Sequence, residues 1–92
     1  MLYMVIERFK NRDAKAIYAR LHEKGRMMPE GLTYHVSWVE LEGRRCFQLM
    51  EAPDEQLLRE WMGNWSDLVE FEVVPVMTSA QFWSQTELGG AA

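Results

Sequence analysis

One cysteine, Cys46, occurs in the ninety-two residues. An internal disulfide is therefore excluded, and His22, His35 and Cys46 do not fall at metal-ligand spacing, so no metal site is expected. Only six glycines and three prolines are present. None builds a glycine-rich phosphate loop, a repeat or a low-complexity tract. Long apolar runs are missing too. The N-terminal run LYMVI stops at Glu7, too short for a signal peptide, and nothing approaches a membrane span. The expected compartment is the cytoplasm, with no membrane partner. Positive charge is scarce in the second half, with no Lys or Arg after Arg59. Residues 1–30 carry seven Lys/Arg against four Asp/Glu, and residues 31–92 three against ten, for a net charge of −4. An acidic chain whose basic residues are spread over one helix is not expected to bind nucleic acid.

What is present is apolar. The hydrophobic fraction is 48%, with four Trp and seven Met. A chain of this length makes one domain with a small core. Aromatics and Met beyond what that core can hold point to an interface.

The organising stretch is Thr33 to Met50, TYHVSWVELEGRRCFQLM, which reads as a β-hairpin turning at Glu42-Gly43. A two-residue turn there sets Val39 opposite Cys46, Trp38 opposite Phe47, Ser37 opposite Gln48, Val36 opposite Leu49 and His35 opposite Met50. Faces alternate along each strand, so one face carries Tyr34, Val36, Trp38, Phe47 and Leu49. The other carries His35, Ser37, Val39, Cys46, Gln48 and Met50. The aromatic face is expected to be the core and the mixed face to be open.

Around the hairpin, Leu2–Phe9 is a strand apolar on both sides, as a central strand is. Asp13–Lys24 is a helix with Ala14, Ile17, Tyr18 and Leu21 as its apolar stripe, stopped at Gly25. Asp54 caps a second helix bearing Leu57, Leu58, Trp61 and Trp65. Asp67–Met77 is a last strand that Pro75 confines to an edge. Ser79 is placed as the cap of a short helix with Phe82 and Trp83, and Gly89–Ala92 is expected to be disordered. The order β-α-β-β-α-β is the ferredoxin-like α+β arrangement, a four-stranded antiparallel sheet with two helices on one face. Residues 1–77 form that domain, and residues 78–92 a short helix and flexible tail. Val39, Met50, Val74 and Val76 would then lie exposed unless a second subunit covers them.

The segments MVIERF, GRMMPEGLTYHVSWVE, RCFQLME and DLVEFEVVPV resemble an uncharacterised bacterial family, a domain of unknown function, over residues 1 to about 77. That resemblance implies no catalytic residues. By element order the chain is similar to the dimeric α+β barrel proteins, in which two open sheet faces pack around a pocket. That group includes cofactor-free monooxygenases, isomerases, haem proteins and ligand-binding domains, and fold alone does not choose among them.

His35, Ser37, Cys46, Gln48 and Met50 are the candidate ligand-binding residues, for a small apolar or mixed ligand and without a cofactor. His35 is the candidate base, since an imidazole is the side chain suited to proton transfer near neutral pH. Its plainer role is a hydrogen bond to a partner subunit. Cys46 reads more simply as a small buried hydrophobe, and Glu70 with Glu72 as a solvated rim. The leading reading is a homodimeric small-molecule-binding domain. The alternatives are a cofactor-free monooxygenase or isomerase using His35, and a structural dimerisation module.

Overall fold

The computed structural model describes residues 1–85. The elements run β1 (Leu2–Phe9), α1 (Ala14–Lys24), β2 (Thr33–Val39), β3 (Arg45–Glu51), α2 (Glu55–Gly63), β4 (Val69–Val76) and α3 (Ser79–Ser84). The strands make one antiparallel sheet in the order β2-β3-β1-β4. This is the ferredoxin-like α+β fold expected from the sequence, with β1 central and β4 at an edge. The disorder expected at Gly89–Ala92 lies outside the described residues.

Local chemistry sets the ends of the elements. Asp13 caps α1 by accepting from the Ala16 N–H at 3.1 Å, and Gly25 stops it at φ +67°. Asp54 caps α2 by accepting from the Gln56 N–H at 3.0 Å. α3 is capped one residue earlier than expected: Thr78 and Gln81 form a reciprocal capping box. The hairpin closes through a longer loop than the one expected. Glu40 and Arg45 are the last pair, and Gly43 at φ +71° donates its N–H to the Glu40 carbonyl at 2.7 Å. The loop centre is unchanged, so the register from Val39↔Cys46 to Val36↔Leu49 is as expected.

Two features depart from expectation. The first is a bulge between Tyr34 and Val36, so that Met50 faces Tyr34 and His35 drops out of the ladder. One extra residue in a strand transfers everything beyond it to the other face.

The second is a reversal of the faces. The core consists of Tyr3, Val5, Leu32, Met50, Ala52, Leu58, Trp61 and Trp65. Cys46 and Gln48 are buried beside it, while Trp38 is 53% exposed. The mixed face of the hairpin therefore lies beneath the helices and the aromatic face is open. The cause lies outside the hairpin. α2 and the turn after it supply Leu58, Trp61 and Trp65, and β1 supplies Tyr3 and Val5, so the core holds enough bulk without Trp38 and Phe47. Of the residues expected to lie exposed, Val39 and Val74 do. Met50 is fully buried.

The open face is ordered in rows. One runs Trp38, Phe47, Ile6, Glu72 and the next Val36, Leu49, Met4, Val74. Leu2 and Val76 pair beyond them. Arg45, Arg8 and Glu70 close the loop end, and Arg8 pairs with Glu72 at 3.7 Å.

Candidate functional site

α1 buries no residue completely. Ile17 and Leu21 reach toward the sheet without filling the space below them. A cavity of about 170 Å³ remains between α1, the turn after α2 and the covered sheet face. Its apolar walls include Ile17, Leu21, Trp61, Trp65, Phe9 and Val69. Its polar wall is Glu7, Arg26, Ser37, Cys46 and Gln48.

Arg26 is placed by backbone contacts. Its carbonyl accepts from the indole N–H of Trp61 at 2.9 Å and of Trp65 at 3.1 Å. The Asn64 amide donates to the next carbonyl, Met27, at 3.1 Å. These bonds hold the loop after α1 against the turn after α2. The Arg26 guanidinium lies 3.8 Å from the centre of the Tyr34 ring, a stacking that fixes its direction. The Tyr34 hydroxyl is 2.7 Å from Ser37 Oγ. Among the described residues Arg26 enters no salt bridge.

Glu7 lies on β1 at the parity of Tyr3, Val5 and Phe9, opposite Cys46 and Phe71. Burial raises its carboxyl from the ordinary 4.5 to about 7, against the opposing pull of a hydrogen bond with Cys46 and the charge of Arg26. Burial likewise pushes the Cys46 thiol up to about 12, helped by the neighbouring Glu7 charge. At neutral pH the thiol is protonated and is not a nucleophile. Gln48 is buried, and its side-chain N–H donates at 3.1 Å to the Met50 thioether, a weak acceptor.

The five expected ligand-binding residues are distributed unequally. Ser37, Cys46 and Gln48 come together on the cavity wall. Met50 belongs to the closed core behind them. His35 stands apart on the exposed bulge, its Nε2 2.7 Å from Glu51 Oε1. The cavity thus lies on the covered face and not on the open one, and His35 has no part in lining it. Sequence reasoning did not place Arg26 in the site and raised Glu7 only as a group that could face His35 or an Arg, outside the expected ligand-binding set. For Glu7 a signal was present: a carboxylate at the inward parity of a central strand. Arg26 carried none, because its placement depends on two distant tryptophans.

A broader depression lies at the hairpin tip among Arg8, Arg12, Arg44 and Arg45 with Glu40 and Glu42. Its charges are partly matched internally, Arg45 to Glu40 at 2.9 Å and Arg44 to Glu42 at 3.3 Å, so it offers a ligand little. Among the described residues no helix is long and apolar enough to cross a membrane, and no cluster of His, Cys, Asp and Glu could hold a metal ion.

No curated protein and no solved structure matches the chain. A family model does match, over residues 1–87, and its extent takes in every strand and helix described above. The chain belongs to the family described as a domain of unknown function, DUF3303.

Proposed function

We propose that this domain binds a small molecule in the cavity between α1 and the sheet. The carrying observation is the joining of apolar walls to a cluster of polar groups, with Arg26 held by its backbone contacts and the Tyr34 ring and by no salt bridge among the described residues. Ligand sites have this composition, whereas ordinary cores do not. Size narrows the ligand, since a cavity of about 150 Å³ holds one benzene-sized molecule. A single-ring or short branched compound suits the 170 Å³ found here. The test is a thermal-shift screen of one-ring compounds on the protein and on a Leu21→Trp variant, which fills the space. Compounds that stabilise the first and not the second support the reading. Stabilisation of both equally, or of neither, overturns it.

The open sheet face favours a second copy of the chain as its cover. Rows about 7 Å apart on strands about 4.8 Å apart make an apolar block of roughly 300–400 Å², a size of patch that on a monomer is often an interaction surface. Charges of both signs border it, Arg8, Arg45, Glu70 and Glu72 at the loop end and Glu51 at the other.

Catalysis is a second reading, and one observation favours it. The cavity holds a carboxyl group, Glu7, that titrates near neutrality and so can give or accept a proton. It takes the place of His35 in that role. Loss of any detected isomerase activity in Glu7→Gln, with ligand binding retained, would mark it as the proton carrier.

A further inference from the structure

We infer that the ligand is a small organic monoanion, a carboxylate or enolate on a single ring or short branched chain, with its charged group held by Arg26 and Gln48 and its body against Trp61 and Trp65. This rests on the cavity being a ligand site and goes further by naming the chemical class. Three observations carry it. The Arg26 guanidinium reaches the cavity wall without a salt-bridge partner among the described residues. Its fork of donors matches a carboxylate. The Gln48 amide donates to a thioether sulfur, a poor acceptor that an oxyanion outcompetes. The remaining wall is indole and aliphatic, suited to a ring or branched chain.

Glu7 is the one acid on that wall and gives the site its pH dependence. The groups facing it are Cys46 from β3, Arg26 from the loop after α1 and Phe71 from β4. Ile17 and Leu21 of α1, and Trp61 and Trp65 beyond, add nothing titratable. When Glu7 is ionised it competes with the ligand for Arg26. When it is protonated it no longer competes and becomes a further donor. An anion in the cavity raises the Glu7 pKa above about 7, so binding takes up a proton. Affinity therefore falls as pH rises through neutrality, by up to about tenfold per unit.

The experiment is isothermal titration with benzoate, and with benzamide as a neutral compound of the same size, at pH 6 and pH 8. The expected result is benzoate binding at pH 6 at least about tenfold tighter than benzamide, the worth of one charge-assisted hydrogen bond. Benzoate should weaken at pH 8 and benzamide should not. Arg26→Met should remove the preference for benzoate and Arg26→Lys should restore part of it. The Trp61 and Trp65 bonds go to the Arg26 backbone, so both variants keep the loop anchored. Glu7→Gln should still bind benzoate at pH 6 but lose the difference between the two pH values. If benzamide binds as well as benzoate, the anion inference fails and the cavity reading survives. If neither compound binds at either pH, both fail.

Discussion

Glu7 is the residue through which the covered face can be tested. Its carboxyl titrates at about 7 when folded and near 4.5 in a free chain. The folded state therefore favours the protonated form. That contribution is fully present below pH 4.5 and is lost as pH rises through about 7. The penalty above pH 7 is on the order of 3 kcal/mol. Denaturant melts of the parent and of Glu7→Gln should diverge with pH: the variant should gain on the parent by up to that amount between pH 5 and pH 8. A constant difference would place Glu7 in solvent. Cys46, held at about 12 by burial, should resist a thiol reagent at pH 8 until the protein is unfolded. His35 is the contrasting case. Its contact with Glu51 is exposed, and exposed pairs contribute roughly 0–1 kcal/mol. His35→Ala should leave both the melting temperature and ligand binding nearly unchanged, as a melt and a titration will show.

Among the elements, the tryptophans of α2 and the turn after it carry the core, and the one in the sheet, Trp38, does not. Trp61 is 3% exposed and packs edge-on against Phe71 with ring centres 5.6 Å apart. Trp61→Ala should cost roughly 3–5 kcal/mol, the usual range for an aromatic removed from a core. The same substitution at Trp38 should change monomer stability by less than about 1 kcal/mol. The order of elements, the caps at Asp13 and Asp54, and the pairing of Val39 with Cys46 were all legible in the sequence. Each depends on chemistry local to the stretch concerned. Which face of the hairpin met the helices was not legible. Parity sorts residues into two sets but does not say which set is covered, and the greasier set was the open one. The bulge at His35 was hidden for a related reason: no glycine or proline marks it, and pairing counted from the turn runs past it unaltered. Gln48 looked like a group of the open face because the elements that cover it, α1 and α2, lie elsewhere in the chain.

At the scale of the whole molecule, α1 and α2 cover one side of the sheet and the other side is lined with apolar residues. Trp38, Val36 and Val74 are exposed there, and the proposed second copy would cover them. Trp38→Lys should yield a folded monomer by sedimentation, while the parent sediments as a dimer. A monomeric parent at micromolar concentration would remove the second copy from the account and leave the cavity untouched. The central claim is that ligands enter beneath α1, not onto the open face. The most direct measurement is the ¹H–¹⁵N spectrum of the indole groups during titration with a one-ring acid such as benzoate. The Trp61 and Trp65 signals should shift together, since both indoles line the cavity and donate to the Arg26 carbonyl, while Trp38 stays still. Movement of Trp38 with Trp61 and Trp65 unmoved would put the ligand on the open face and contradict the claim.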